Sequence, residues 1–338
     1  MKIIRKLLFP IAIVYYLVTY IRNFFYDKGI FKSHSFSLPI IAIGNLNVGG
    51  TGKTPHTEYI VSLLKDKYKV AVLSRGYRRK SSGFVLAKPT TSYEEIGDEP
   101  MQIYNRFKNK VIVAVCEDRK TGLENLINNS NAEVVVLDDA YQHRKVKAGL
   151  YVLLTAYNEL FINDYILPFG NLRESSLGKN RAHMVIVTKC PTDISNDEQM
   201  KITKKLNVNV PVYFSSISYD DYVYNNTEKI KIAEVKNKDK LLIAGIANPE
   251  YFFNFLKQEK DKVLSFKDHH HFTEKDIKKI QDLAKDKIIV TTQKDYVRLN
   301  PYLKSNKLFY LPITITFANN KPLDDKILSY VEQNRRYS

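Results

Sequence analysis

The apolar run Pro39-Ile40-Ile41-Ala42-Ile43 leads almost directly into Asn47-Val48-Gly49-Gly50-Thr51-Gly52-Lys53-Thr54. A buried strand followed by a glycine-rich octapeptide ending in Lys-Thr predicts one local architecture: strand, phosphate-cradling loop and helix, set in a parallel sheet. The glycines let backbone N–H groups turn inward onto phosphate oxygens. Lys53 can reach the β- and γ-phosphates, and the Thr54 hydroxyl is placed for Mg²⁺. The N-terminal end of the following helix adds partial positive charge. All eight residues, Asn47, Val48, Gly49, Gly50, Thr51, Gly52, Lys53 and Thr54, are therefore expected to hold a nucleoside triphosphate. Asn47 stands where the general pattern has Gly, and Asn tolerates left-handed backbone better than most residues.

Further apolar runs, at residues 70–73, 111–115 and 134–137, are separated by helical stretches. Continuous apolar strands alternating with helices imply a parallel sheet covered on both faces, with ligands at the carboxyl ends of the strands. A polar stretch at 216–237, rich in Asp, Asn, Lys and Tyr, precedes a second α/β unit that opens at Lys240-Leu241-Leu242-Ile243-Ala244. The expected organisation is an N-terminal helix at 1–28, a P-loop nucleotide-binding lobe at 29–222 and a smaller α/β lobe at 223–338.

A chain of 338 residues can bury a full core. Cys116 and Cys190 lack metal-ligand spacing, so neither a disulfide framework nor a zinc site is indicated, and a reducing compartment fits. The formal charge of +16 suits nucleic acid, an anionic membrane surface or a phosphorylated substrate. No repeat, low-complexity tract or basic-aromatic pattern of an RNA-binding sheet is present, so nucleic acid is not an expected partner. Residues 7–21 carry no charge and are mostly apolar, flanked by Lys2, Arg5 and Lys6 before and Arg22 after. A spanning helix wants about 20 apolar residues, and a cleaved signal would end in small ones. Aromatics at Phe9, Tyr15, Tyr16, Tyr20, Phe24, Phe25 and Tyr26 suit a membrane-associated helix lying in the headgroup region of an anionic leaflet. An ordinary buried helix is the other reading.

Asp138-Asp139 closes the strand at 134–137, where a carboxylate beside a P-loop threonine can hold Mg²⁺ and where two in a row repel unless a cation neutralises them. In Gly97-Asp98-Glu99-Pro100, either acid could cap the following helix, and one could equally accept a proton from an attacking hydroxyl. Ser74-Arg75-Gly76-Tyr77-Arg78-Arg79 clusters guanidinium groups after a strand, as an anionic ligand or a solvated basic loop would require. Arg119 could extend that patch. Thr188-Lys189-Cys190-Pro191 lacks the Asp of a guanine-reading [NT]-K-x-D motif. Asp268-His269-His270-His271 offers adjacent histidines that point in different directions, which favours one proton-handling His oriented by Asp268 over a metal site.

In this order, the segments resemble the tetraacyldisaccharide 4'-kinase family along most of the chain. The resemblance is carried by Gly44-Asn45-Leu46 before the P-loop, Ser74-Arg75-Gly76-Tyr77, Gly97-Asp98-Glu99-Pro100, and Asp138-Asp139 with Gln142-His143-Arg144. It continues through Leu167-Pro168, Leu172-Arg173-Glu174, Gly245-Ile246-Ala247-Asn248-Pro249, Asp268-His269-His270 and Thr291-Thr292 with Lys294-Asp295. Arg78 departs from the family pattern, which has Gly after Ser-Arg-Gly-Tyr.

The resemblance implies two α/β lobes with the active site between them. It also implies transfer of the ATP γ-phosphoryl group, with Mg²⁺, to the 4'-hydroxyl of a tetraacyldisaccharide 1-phosphate at the cytoplasmic leaflet of the inner membrane. Carried over by position, Lys53, Asp98 and His269 are catalytic, with Asp98 the base and His269 orienting it. Thr54, Asp138 and Asp139 are expected to hold the metal. Arg75, Tyr77, Glu99, Arg119, Gln142, His143, Arg173 and Glu174 are expected to bind substrate. A membrane-associated P-loop ATPase switch with no small-molecule acceptor would use the same P-loop and basic amphipathic start.

Overall fold

The computed structural model describes residues 5, 7–246, 248–268, 270–303 and 305–334. In chain order the first part comprises α1 (Phe9–Asp27), β1 (Ile40–Asn45), α2 (Lys53–Leu64), β2 (Val70–Ser74), β3 (Val85–Leu86), α3 (Tyr93–Ile96) and α4 (Asp98–Phe107). It continues with β4 (Ile112–Val115), α5 (Arg119–Asn129), β5 (Val134–Leu137), β6 (Leu150–Ala156), β7 (Met184–Cys190), α6 (Asn196–Leu206) and β8 (Val212–Tyr219). The second part comprises β9 (Tyr222–Tyr224), β10 (Lys229–Lys231), α7 (Ile232–Lys236), β11 (Lys240–Ala244), α8 (Glu250–Leu256), β12 (Lys262–Ser265), α9 (Glu274–Ala284), β13 (Ile288–Thr292), α10 (Gln293–Leu303) and β14 (Leu308–Leu311). The chain closes with β15 (Ile313–Phe317) and α11 (Lys321–Asn334).

Among the described residues the strands form two sheets, ordered β15-β8-β7-β6-β1-β5-β2-β4-β3 and β10-β9-β14-β13-β11-β12. From β8 through β4 the larger sheet is parallel, with an antiparallel strand at each edge. β1, the strand that feeds the P-loop, lies between β6 and β5 and is buried along its whole length. Its side chains alternate faces, as strand geometry requires. Ile41 and Ile43 pack with Ile60, Val61 and Leu64 of α2 and Leu323, Ile327 and Val331 of α11, while Ile40 and Ala42 pack with Leu123 and Leu126 of α5. These two apolar layers fix the height at which the P-loop leaves the sheet.

The C-terminal residues do not all stay with the second sheet, as a unit at 223–338 would require. β15 pairs antiparallel with β8 at the edge of the first sheet, and α11 packs on that sheet's core. The Tyr330 hydroxyl on α11 donates to the Ile40 carbonyl at 3.0 Å and accepts from the Ile40 amide at 3.0 Å, so the last helix is bolted to the start of β1. The polar content of 216–237 marks the crossing between lobes, but it carries no trace of the later return, which depends on apolar residues far downstream.

α1 is a surface helix with two unlike faces. Ala12 is buried, and Tyr15, Arg22 and Asn23 lie on the same side at helical spacing and bond to the body of the protein. Ile11, Val14, Val18 and Ile21 follow a separate stripe and are 55%, 61%, 61% and 48% exposed. Among the described residues no helix is long and apolar enough to cross a membrane.

Candidate active site

The P-loop is shaped by its glycines and pinned from outside. Gly49 and Gly52 take φ of +118° and +81°, conformations that L side chains rarely adopt. Asn47 does not need left-handed backbone. It is buried, and its amide donates to Asp164 Oδ2 at 2.9 Å. The Val48 amide donates to the Asn171 carbonyl at 2.7 Å, the Arg173 amide to the Leu46 carbonyl at 2.7 Å, and the Thr188 hydroxyl to the Thr51 carbonyl at 2.9 Å. The segment around Asp164 and 171–173 therefore clamps the loop from one side and β7 from the other. Gly50 and Lys53 complete the turn, and Thr54 lies half-buried in the first turn of α2.

His56 locks the far end of the loop. Its ring lies 2.7 Å from the Gly52 carbonyl through Nδ1 and 2.9 Å from Ser215 Oγ through Nε2, and burial lowers its pKa to about 4. A folded-state value below the unfolded one means that His56 supports the fold above pH about 6.5 and that this support is lost as the pH falls through about 4. A His56→Asn protein should show a shallower decline in Tm between pH about 7 and 4, and a decline as steep as the parent's would count against this assignment.

At the carboxyl ends of β1, β2 and β5 a charged cluster forms. Lys53 Nζ lies 3.3 Å from Asn45 Oδ1 and 3.8 Å from Asp139 Oδ1. Arg173 Nη1 donates to both oxygens of Asp139, at 3.0 and 3.2 Å. Burial pushes the Asp139 carboxyl up, but Lys53 and Arg173 outweigh it and hold the group below the usual carboxylate range. Asp139 adopts φ of +47°, so its side chain is aimed by a conformation that costs energy in a non-glycine residue. Asp138 is 6% exposed and accepts from Thr57 Oγ1 at 3.0 Å and Ser74 Oγ at 3.5 Å. Burial first, then the neighbouring Asp139, pushes it up to about 6. A pair of unlike carboxylates, one charge-compensated and one desolvated, is what a divalent cation would complete.

The expected substrate residues separate into two kinds. Arg119 is 2% exposed and donates to the Cys116 carbonyl at 2.7 Å and the Asp138 carbonyl at 3.4 Å, so it holds the turn that presents the aspartates. Burial lowers its pKa to about 10. Glu174 is 1% exposed, accepting from Asn23 of α1 at 2.7 Å, Gln142 at 3.0 Å and Arg181 at 2.7 Å. Gln142 also donates to the Asn45 carbonyl at 2.8 Å, and its own carbonyl accepts from Arg22 at 2.9 Å. α1 is thereby wired to the residues that frame Lys53. In contrast, Arg75 and Tyr77 are exposed. His143, held down to about 4 by burial and by Arg119 and Arg75, lines a cavity of about 390 Å³ with Arg22, Tyr26, Arg119, Gln142 and Lys145.

The second acidic site meets the other lobe. Asp98 begins α4 after Gly97, whose φ is +92° and whose added Cβ would come 3.1 Å from the Tyr77 carbonyl. Tyr77 and Asp98 share a groove with His271. Asp98 pairs with Arg298 of α10, and Glu99 lies 3.7 Å from Lys294 of the same helix. His269 lies outside the described residues. Arg78 adopts φ of +59°, a left-handed conformation that glycine enters freely and that Arg78 meets under strain.

Sequence reading missed Asn45, Thr57, Asp164, Arg181 and Arg298. Thr57 carries a local signal, since it follows Lys53 at helical spacing on the face that meets Asp138 at the end of β5.

Residues 4–332 match the tetraacyldisaccharide-1-P 4'-kinase family. A tetraacyldisaccharide 4'-kinase of Flavobacterium psychrophilum is 56% identical over 338 residues, covering 98% of both chains. One of Bacteroides thetaiotaomicron is 45% identical, covering 99% of this chain and 95% of that one. A crystal structure of LpxK from Aquifex aeolicus in complex with ATP superposes with a TM-score of 0.81 at 29% identity, covering 97% of this chain and 99% of that one. Matched over nearly its full length by the family and by its relatives, the chain belongs to the tetraacyldisaccharide-1-P 4'-kinase family.

Proposed function

We propose that the protein transfers the γ-phosphoryl group of ATP to the 4'-hydroxyl of a tetraacyldisaccharide 1-phosphate. The observation that carries this reading is the cluster of Lys53, Asp138 and Asp139 at the mouth of the P-loop, in a chain of this family. Asn45 Nδ2 and Thr51 Oγ1 are buried there without hydrogen-bond partners, so the loop retains polar atoms suited to a phosphate chain. Thr54, Asp138 and Asp139 would hold Mg²⁺, which when bound neutralises charge on the phosphates. Lys53 stabilises negative charge that grows on the leaving oxygens, and Arg173 keeps Asp139 ionised and aimed. Asp98 takes the proton of the sugar hydroxyl, with His269 orienting it. Glu99, Gln142 and Glu174 frame the site, the exposed Arg75 and Tyr77 face the acceptor headgroup together with His143, and Arg119 acts behind them by holding the turn that presents the aspartates.

The exposed stripe of α1 rests on the cytoplasmic face of the inner membrane, where a four-chain lipid resides. Burying Ile11, Val14, Val18 and Ile21 in the interface would recover the hydrophobic energy that their exposure forgoes. A Val14→Asp/Val18→Asp protein should sediment with anionic vesicles at least about 10-fold less well while melting like the parent, and equal sedimentation would remove this assignment. Radioactive γ-phosphate transfer from ATP to the lipid in detergent micelles tests the reaction itself. Labelled lipid supports the kinase, whereas phosphate release without labelled lipid would favour an ATPase switch.

A further inference from the structure

The contact between the lobes at Asp98 is built around one buried guanidinium. Arg298 is 2% exposed, and its Nη2 donates to Asp98 Oδ2. Its Nη1 lies 3.7 Å from Asp295 Oδ1 and 3.5 Å from the His270 carbonyl. Asp295 is fully buried, and its other oxygen accepts from the Gly245 amide at 2.8 Å and the Thr292 hydroxyl at 2.7 Å. The anchor is therefore rigid: β11, β13 and the start of α10 hold Asp295, and Asp295 faces Arg298. The next residue back, Val297, packs with Ile96 and Met101, which flank Asp98 on either side in the other lobe. Apolar packing sets α10 against α4, and the guanidinium then meets the carboxylate.

We propose that Arg298 is a positioning residue of the second lobe that acts through Asp98, fixing the orientation of the base's carboxylate whenever the two lobes are together. This inference rests on the reading of Asp98 as the base. A guanidinium presents donors in a fixed fork, so one arm can face Asp295 while another fixes Asp98. Lysine, with one nitrogen on a flexible stem, can face only one of them well. A counter-ion needed solely to compensate buried Asp295 would have no reason to make a direct hydrogen bond across the lobe boundary. The arrangement makes the base complete only when α10 is docked, which links proton removal to lobe contact.

The test is a mutant cycle. Lipid phosphorylation in micelles, ATP binding and thermal melting would be measured for Arg298→Gln, Arg298→Lys and Asp98→Asn, and for each Arg298 variant combined with Asp98→Asn. Arg298→Gln should lower kcat about 10²-fold with ATP affinity unchanged, and Arg298→Lys about 10-fold. In the Asp98→Asn background either Arg298 change should cost less than about 3-fold more, because the group it acts through is already gone. If Arg298→Gln does not fold, the Arg298→Lys pair completes the cycle, since it keeps a cation beside Asp295. Equal losses in both backgrounds, or parental kcat in a folded Arg298→Gln protein, would overturn the Arg298 role while leaving Asp98 as base. Near-normal kcat for Asp98→Asn alone would instead remove the base assignment, and the proposal with it.

Discussion

Lys53→Ala should bind the acceptor lipid like the parent and lose at least about 10²-fold in turnover, because the cation removed is the one aimed at charge that develops during transfer. The structure adds a second consequence. Lys53 is one of three cations, with Arg173 and Arg119, that hold Asp139 ionised, and Asp139 in turn contributes to raising Asp138. Without Lys53 the two carboxylates face each other with less compensation, so the variant should also reach half-maximal residual activity at lower Mg²⁺. Turnover within about 10-fold of the parent would show that the P-loop lysine does not carry the electrostatic load assigned to it. An unchanged Mg²⁺ requirement would separate the lysine from the metal-binding pair.

Asp98→Asn should fall by at least about 10²-fold in lipid phosphorylation with ATP affinity kept, since the amide preserves shape but cannot accept a proton. The substitution is less disruptive than Asp98→Ala, because an amide oxygen can still accept from Arg298. A loss confined to KM for the lipid would assign Asp98 to binding, and near-normal kcat would remove it as base. Slow ATP hydrolysis should survive the change, because Lys53, Asp138 and Asp139 are untouched.

What could be read from the sequence was local. The P-loop, the Asp138-Asp139 pair and the Gly97-Asp98-Glu99 turn each lie at the end of an apolar strand or the start of a helix, where a few adjacent residues dictate geometry. The resemblance places Gln142 and Glu174 near the site, but the bonds of Glu174 to Asn23 of α1 and of Gln142 to Arg22 join residues far apart in sequence. Pairing across such distances leaves no periodic trace. Arg119 illustrates another limit: its place just beyond a strand end suggests an extension of the basic patch, whereas carbonyl oxygens satisfy it inside the protein. Arg298 had one local cue, its i,i+3 relation to Asp295 after a Thr-x-x-Asp helix start, but no cue to its partner in the other lobe.

The return of the chain at β15 has a mechanical consequence. The Asp220 amide donates to the Pro312 carbonyl at 3.1 Å, and Ile313 sits opposite Tyr219, so the outgoing and incoming connections run side by side as a two-stranded ribbon. A lobe tethered by a single strand could swivel freely about it. One tethered by a hydrogen-bonded pair can flex and twist at the ribbon but cannot spin, so any departure of α10 from α4 would retrace nearly the same arc on its way back. The ribbon would thus serve as a pivot that returns the second lobe in one orientation.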